Sequence, residues 1–237
     1  MSAEAETTAA VVAVTGLVKE ARMASGPGVR AIAGGGDVRR LAQAIEREVR
    51  LGARGVISFG IAGGLIDSIS AGDWLVARAI VTADERFSCD KTWTRALVER
   101  LRGAVSVDLA GCDAPITEAA AKRALHRATR ASAVDTESHI AAAVAAAHKL
   151  PFAAFRVICD GVEQSLPPAA VSALSSDGTI RRAAVARALA RDPRQIPSLA
   201  RTAIDAHTAF RALLRGRRLL GPGLGFPNPR EALLDVS

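Results

Sequence analysis

The sequence predicts an α/β protein in which helices cover both faces of a central sheet. Short runs rich in β-branched residues alternate along the 237 residues with Ala-rich segments of helical periodicity. The strand-like runs are continuously apolar, which is typical of strands that are buried on both faces. A chain of this length buries roughly 70% of its unfolded surface, so it folds as one large domain without disulfides or a structural metal.

Six apolar runs predict the strands of this sheet. They cover residues 11–15, 29–33, 56–59, 74–82, 105–109 and 151–158, and a shorter run at 131–134 leads into a helix. Glycines follow three of the runs, at positions 16, 34–36, and 60, 63 and 64. Because ligands of such sheets bind at the carboxyl ends of strands, the polar residues at these ends are candidate site residues.

Five segments predict helices, at residues 37–51, 117–128, 137–149, 177–190 and 197–215. Asp37 and Thr117 are the predicted N-caps of the first two, since their side chains accept hydrogen bonds from free backbone N–H groups. The chain has no internal repeat and no interdomain linker. We therefore expect a single domain over residues 1–215 and an irregular Gly/Pro-rich tail over residues 216–237.

The cysteines and the N-terminus exclude several classes of protein. Cys89, Cys112 and Cys159 are odd in number and form no C-x-x-C pair, so we expect no disulfide framework and no metal site. This cysteine usage favours the cytoplasm. No run approaches the ~20 apolar residues of a membrane span, and the acidic first ten residues do not fit a signal peptide.

Positive charge is concentrated at the end of the chain. The net charge is +7, and residues 181–237 carry all of it, with 11 arginines against 4 acidic residues. One interpretation is a peripheral contact of helix 197–215 with the inner face of a membrane, where each basic residue contributes about 1 kcal/mol. The alternatives are a solvated helix face, or core packing with an oligomer contact. Nucleic acid is not a predicted partner, because aromatic residues make up 3% of the chain and no binding motif is present.

Three segments together resemble the nucleoside phosphorylase/nucleosidase superfamily. They are residues 59–65 (FGIAGGL) with Gly72 and Asp73, residues 134–138 (VDTES), and residues 155–161 (FRVICDG). The resemblance extends over about residues 10–215. It implies a three-layer α/β/α sandwich around a central mixed sheet, an enzyme without a cofactor, and a homodimer or other homo-oligomer.

A fourth segment narrows the resemblance within the superfamily. Residues 15–20 (TGLVKE) are similar to the Gly-Ala-Met and acidic pattern of the nucleosidases. The subgroup that the chain most resembles is the hopanoid-associated phosphorylase-like proteins, which remove adenine from adenosylhopane. The implied partner is therefore a small nucleoside, one that carries a lipid in this subgroup.

Cleavage of an N-ribosidic bond needs an acid for the leaving base, a holder for the ribose and an activated nucleophile. Asp160 ends a buried strand, where burial raises the pKa of a carboxyl, and it is the predicted acid toward purine N7. The resemblance assigns the same role to this position. The alternative is that Asp160 caps the turn at Gly161.

Two glutamates are predicted to complete the reaction centre. Glu137 offers two acceptor oxygens to the ribose hydroxyls, a role that the resemblance also implies; alternatively it complements the dipole of helix 137–149. Glu20 matches the last acidic residue of the nucleosidase pattern and is the predicted base that activates water. The alternative for Glu20 is an exposed ion pair with Lys19 or Arg22.

The base is expected to lie against residues 111–116 (GCDAPI), which resemble the family's base loop. Asp113 and Ile116 are the candidate contacts, and the backbone of Ile116 is the predicted partner of adenine. Pro115 stands where the family has a stacking aromatic, so Phe152, Phe87 or Trp93 is the candidate replacement. The alternative for residues 111–116 is an ordinary turn. The predicted substrate-binding set further includes Leu17, Gly63, Thr136 and Leu166.

The nucleophile is predicted to be water, with phosphate as the alternative. Phosphorylases of this family hold phosphate with an arginine and a serine, and the matching positions here are Ser58 and Ile61. Loss of a guanidinium weakens anion binding and favours hydrolysis. A phosphate co-substrate held by Lys19, Arg22 and Gly34–Gly36 is the alternative, although Gly34–Gly36 fits a plain tight turn at least as well. A non-catalytic ligand- or lipid-binding protein on this fold is a third hypothesis.

The 5′ side of the substrate is expected to be open and apolar. Residues 161–171 (GVEQSLPPAAV) are small or apolar, and Ala170 lies near the position where methylthioadenosine nucleosidases have a bulky aromatic. A triterpene needs such an opening. Burial of half of it contributes several kcal/mol at about 25 cal/mol per Å².

Overall fold

The computed structural model describes residues 10–173, 178–179 and 181–227. Within these ranges the chain forms eight strands: β1 (Val11–Thr15), β2 (Val29–Ala33), β3 (Gly55–Gly64), β4 (Trp74–Val81), β5 (Arg86–Ser88), β6 (Val105–Gly111), β7 (Ala133–Asp135) and β8 (Phe152–Asp160). The α-helices of the same ranges are α1 (Val18–Ala24), α2 (Val38–Arg50), α3 (Lys91–Arg100), α4 (Ala119–Thr129), α5 (Ser138–Ala147), α6 (Pro168–Ala173), α7 (Arg182–Arg191) and α8 (Ile196–Leu220). Two short 3-10 helices, Pro193–Gln195 and Pro222–Gly225, complete the described elements.

The strands form one mixed sheet that partly closes on itself. β3, β8, β4, β6 and β7 pair in a cycle and form a small barrel, in which β3–β8, β4–β6 and β6–β7 are parallel pairs. The pairs β4–β8 and β3–β7 are antiparallel. β1 and β2 extend the sheet in parallel from β3, and β5 adds an antiparallel edge to β4.

Both faces of the sheet are covered, which explains the continuously apolar strand runs. In β1, Val12 and Val14 pack in a cluster with α2 and α5, whereas Val11 and Ala13 pack in a second cluster with α1, α3 and α8. Successive residues of a strand point to opposite faces, so both must be apolar when both faces are buried. The predicted three-layer α/β/α sandwich is confirmed.

The predicted elements differ from the structure mainly where an element is short or weakly apolar. α1, α3, α6 and β5 were not predicted; β5 has three residues, α6 has six, and α3 buries only Trp93 and Leu97. Asp37 caps α2 as expected, accepting the Arg40 N–H at 3.0 Å. The helix expected to begin at Thr117 has Glu118 at its N-cap instead. Of the helix predicted at 177–190, residues 177 and 180 lie outside the described residues.

The C-terminal helix continues beyond its predicted end. α8 runs to Leu220, so the irregular tail expected from Gly216 begins instead with helix. Leu220 and Leu224 are fully buried, and the Trp93 indole donates to the Leu224 carbonyl at 3.1 Å. The rings of Phe226 and Trp93 pack edge to face, with their centroids 4.8 Å apart. This part of the predicted tail therefore belongs to the hydrophobic core, while residues 228–237 lie outside the described residues.

None of the helices in the described part of the chain has the length and apolarity needed to cross a bilayer.

Candidate active site

A cavity of about 490 Å³ lies where the carboxyl ends of several strands meet. Its lining comes from the turns after β1 and β2, the ends of β3, β7 and β8, the loop after β6 and the segment after β8. Among the described lining residues five are carboxylates and none is Lys, Arg or His; the five are Glu20, Asp113, Asp135, Glu137 and Asp160. The three acids predicted to act on one substrate therefore share one cavity.

Glu20 is held by the backbone of two neighbouring turns. It lies in the first turn of α1, and its Oε2 accepts the N–H groups of Gly16 at 2.9 Å and Leu17 at 2.7 Å. Its Oε1 accepts the Ile61 N–H at 2.8 Å. Burial raises the pKa of Glu20 to about 7, with Arg156 opposing and Glu137 adding to the rise. The exposed ion pair considered as an alternative does not form.

Arg156 is the charged centre beneath the cavity. It is fully buried in the middle of β8, and its guanidinium pairs with Asp135 at 3.1 Å and with Glu137 at 3.2 Å. It also donates to the Ile61 carbonyl at 3.2 Å. Burial opposes its charge, but the surrounding carboxylates raise its pKa. A buried cation is tolerable only with such partners.

Glu137 lies between β7 and α5 and faces the β1 turn. Thr136 donates its hydroxyl to Glu137 Oε1, and a Cβ at Gly16 would lie 2.8 Å from that same oxygen. Glu137 is the N-cap residue of α5 but its side chain makes no capping bond; Asp135 accepts the N–H groups of Glu137 at 2.9 Å and of Ser138 at 2.7 Å instead. The Glu137 side chain is thus directed to the cavity, and burial raises its pKa.

Asp160 ends β8 and pairs with a fully buried lysine. Lys122 of α4 donates to Asp160 Oδ2, to the Gly161 carbonyl at 2.8 Å and to the Gln164 carbonyl at 2.9 Å. Burial raises the pKa of Asp160, and the Lys122 charge opposes the rise. A Cβ at Gly63 would lie 3.3 Å from Asp160 Oδ2 and 3.7 Å from Oδ1, so a larger residue there would crowd the carboxyl group.

The other predicted site residues lie around the same cavity with one exception. Its lining includes Leu17, Gly63, Asp113, Ile116, Thr136 and Leu166. Asp113 lies at the rim, with its side chain 79% exposed and paired to His139 at 2.9 Å.

Phe152 is the exception, and its predicted role is wrong. It begins β8, and the nine-residue strand puts it roughly 26 Å from Asp160. There it lines a second cavity, of about 520 Å³, together with Phe87. Trp93 is fully buried in the core beside Phe226. Among the described residues that line the main cavity there is no aromatic.

Lys19, Gly34 and Gly35, three of the positions proposed for phosphate, make other interactions. Lys19 Nζ lies 3.7 Å above the Phe210 ring. In the loop after β2, Gly34 donates its N–H to the Thr15 carbonyl and Gly35 to the Gly16 carbonyl. Gly35 and Gly36 line the cavity in a tight turn with φ of 63° and 83°. This geometry favours the plain-turn interpretation of the loop.

Sequence reasoning did not single out Arg156, Asp135 or Lys122. Arg156 carries a usable signal, because a charge inside a buried strand run needs a buried partner. The sequence gives no such signal for Lys122, because an isolated lysine in an Ala-rich helix is normally exposed. For metals, the described residues include no group of three or more His, Cys, Asp or Glu that could hold an ion.

A mixed-sheet sandwich with an acid-lined cavity at its strand ends has the architecture of the nucleoside phosphorylase and nucleosidase enzymes. The model of the phosphorylase superfamily matches residues 8–191. The chain belongs to this superfamily, and the predicted enzyme family is confirmed.

Solved structures share this fold at low sequence identity. The 5′-methylthioadenosine/S-adenosylhomocysteine nucleosidase of S. pneumoniae is 14% identical, with a TM-score of 0.61 over 89% of this chain and 99% of its own. The same type of nucleosidase from Colwellia psychrerythraea, solved with adenine, is 15% identical with a TM-score of 0.59 over 88% and 96%. The futalosine hydrolase of Helicobacter pylori is 16% identical with a TM-score of 0.56 over 65% and 88%. No curated protein sequence matches this chain significantly.

Proposed function

We propose that this protein cleaves the N-ribosidic bond of an adenine nucleoside with water as the nucleophile. The observation that carries the proposal is the convergence of Glu20, Glu137 and Asp160 on one cavity whose described lining has no basic side chain. The volume of about 490 Å³ lies within the roughly 300–1,000 Å³ of small-molecule sites. Adenine in the Colwellia neighbour supports this class of base.

The three acids have complementary roles in the reaction. As the C1′–N9 bond breaks, its electron pair passes to the purine and Asp160 supplies a proton to N7. Glu137 accepts hydrogen bonds from the ribose hydroxyls. Glu20 takes a proton from a water molecule that adds to C1′, giving adenine and a ribose product. A pKa of about 7 suits a general base near neutral pH.

The electrostatics favour water over phosphate. A phosphate dianion would enter a cavity lined by five carboxylates with no lining cation among the described residues. Arg156 lies beneath the lining and is already paired with Asp135 and Glu137. A phosphate-dependent phosphorylase therefore remains the weaker alternative.

A phosphate-free assay tests the reaction. Adenine release from an adenine nucleoside should proceed without phosphate, and Asp160→Asn should lower kcat by about 10²–10⁴ while substrate binding persists. Asp84→Asn, in the exposed turn between β4 and β5 and outside the cavity lining, is the matched control. An absolute requirement for phosphate would overturn hydrolysis. Tight nucleoside binding without any turnover would favour the non-catalytic alternative.

We infer that the preferred nucleoside carries a large apolar 5′ substituent, with adenosylhopane as the specific candidate. Leu166 and Val171, from the segment after β8, line the cavity together with Gly178. This supports an apolar passage along α6. The test compares kcat/KM for adenosylhopane in detergent with that for methylthioadenosine. A preference for methylthioadenosine would contradict the lipid substituent.

We further propose that the Arg-rich helices rest on an anionic membrane that delivers this substrate. Residues 181–220 contain ten arginines and two aspartates, and α7 has no buried residue. Ile196, Ile204, Leu214 and Leu219 are exposed apolar residues of α8. A homo-oligomer, the absence of a cofactor and a cytoplasmic location at the inner membrane face stay predictions.

A further inference from the structure

The buried ion pair at the end of β8 has a geometry that a packing role alone does not require. Lys122 is the buried lysine of a chain that otherwise relies on arginine, with 27 Arg against 4 Lys. Its three ammonium protons meet three oxygens, those of Asp160, Gly161 and Gln164. A compact ammonium fits three converging acceptors, whereas the planar guanidinium does not.

The two carboxyl oxygens of Asp160 have different surroundings. Oδ2 accepts from Lys122, while no described residue donates to Oδ1. Lys122 also fixes the 161–164 segment, which follows directly on Asp160. One carboxyl oxygen is thus fixed by α4, and the other remains for a ligand.

We propose that Lys122 is a positioning residue that holds Asp160 Oδ2 and directs Oδ1 toward the nitrogen of the leaving base. The inference rests on the proposed function, because it assigns the base to the side of the cavity where Asp160 lies. Lys122 itself touches no substrate and acts through Asp160.

The charge of Lys122 also sets when Asp160 carries its proton. Burial raises the pKa of Asp160, Lys122 opposes the rise, and Asp205 of α8 adds to it. The neighbouring Cys159 stays neutral, since burial raises the pKa of its thiol to about 12. Removal of the Lys122 charge should therefore raise the pKa of Asp160. The alkaline limb of kcat/KM should then move to higher pH.

The test compares Lys122→Gln with Arg123→Gln. Arg123 is the next residue of α4 and pairs with Glu163 at the exposed surface, so its change removes one charge from the same helix without touching Asp160. We expect Lys122→Gln to lower kcat about tenfold or more, with a smaller change in KM, and to shift the alkaline limb upward. Arg123→Gln should leave kcat and the alkaline limb unchanged. A clamp that only stabilises the loop would lower the melting temperature without shifting the pH profile, and that result would overturn the proposal.

A titration separates this inference from the proposed function. The side-chain carboxyl of Asp160, assigned by its loss in Asp160→Asn, is followed by ¹³C NMR in the wild type and in Lys122→Gln. A higher pKa in the variant supports the pairing, and an equal pKa overturns it, whether or not any nucleoside is cleaved. Absence of adenine release from the wild type would overturn only the proposed function.

A double variant covers the case in which Lys122→Gln does not fold. Lys122→Met combined with Asp160→Asn leaves no unpaired buried charge. It should be less destabilised than the sum of the single changes if the two groups interact. Additive losses would contradict the pairing.

Discussion

At the scale of single residues, the site is a set of buried carboxylates balanced by two buried cations. Arg156 forms ion pairs with Asp135 and Glu137, and its charge raises the ionised fraction of Glu20. Lys122 forms an ion pair with Asp160. Burial alone would neutralise these acids, so the cations decide which carboxylates are ionised near neutral pH. The protonation of the site is therefore a property of the whole cluster.

Glu20 should define the acidic limb of the activity profile. With a pKa of about 7, the base is protonated below neutral pH, so kcat/KM should fall about tenfold per pH unit below that value. Glu20→Gln should abolish this limb and lower kcat by about 10² or more. A pH series with the exposed Asp84→Asn as the control checks this. An acidic limb that survives in Glu20→Gln belongs to another group.

The same group should make stability depend on pH. Glu20 has a folded-state pKa of about 7 against the ordinary value of 4.5, so the folded state binds the proton more tightly. Stability is then highest below about pH 4.5 and falls as the pH rises through 7, by on the order of 3 kcal/mol from this residue. Urea unfolding at pH 5 and pH 8 measures the slope, which should flatten in Glu20→Gln.

Arg156 should contribute far more to the free energy of unfolding than a surface arginine does. Arg156→Met leaves Asp135 and Glu137 buried without a counter-charge, and we expect a loss of about 3–5 kcal/mol in unfolding free energy. Arg78→Met is the control, because Arg78 pairs with Asp108 while 62% exposed and should cost less than about 1 kcal/mol. Equal losses in the two variants would contradict the assigned role of Arg156.

At the scale of elements, β8 and α8 connect the site to the core. β8 carries both Arg156 and Asp160, and its residues are buried along its whole length. α8 packs on β8 through residues from Ala209 onward, and the Trp74 indole donates to the Ala212 carbonyl at 2.9 Å. A Cβ at Gly216 would lie 2.5 Å from the Phe155 ring, so only glycine allows this close approach.

Truncation tests how much of the C-terminal segment the fold needs. A chain ending at Arg215 loses Leu220 and Leu224, both fully buried, and the ring contact of Phe226 with Trp93. Removal of two buried leucines and an aromatic costs several kcal/mol, so this chain should be unfolded or strongly destabilised. A chain ending at Pro227 keeps these contacts and is the control. Circular dichroism melts of the two compare them directly.

At the scale of the whole molecule, the excess positive charge lies apart in the sequence from the acidic residues of the cavity. The excess positive charge lies in the last quarter of the sequence, whereas the cavity lining is acidic. Under the proposed membrane contact, this asymmetry directs the Arg-rich helices toward the anionic bilayer.

Vesicle binding tests this orientation. Binding to phosphatidylglycerol vesicles at low salt should weaken strongly when Arg187, Arg191, Arg194 and Arg201 are changed to Gln. Each lost contact removes about 1 kcal/mol. The same change at Arg39, Arg40, Arg47 and Arg50 of α2 is the control with equal loss of charge. Equal weakening of vesicle binding in both sets would indicate a non-specific charge effect. Absence of binding by the unchanged protein would contradict the proposed membrane contact.

The sequence by itself determined the fold class and most of the candidate site. Continuous apolar runs required a sheet buried on both faces, and the acids at strand ends followed from that geometry, as Glu20, Glu137 and Asp160 illustrate. Local chemistry also fixed the cap at Asp37.

Only the tertiary structure decided which groups meet across the chain. Lys122 and Asp160 are 38 residues apart, and Phe152 lies on the same strand as Asp160 but at its opposite end. The order of the predicted tail likewise depends on distant residues: Phe155 contacts α8 at Gly216, and Trp93 contacts Leu224 and Phe226 beyond the helix. Periodicity reports which residues are buried, but the partners of a buried charge depend on the three-dimensional path of the chain. That path is fixed by long-range packing, which local sequence patterns do not encode.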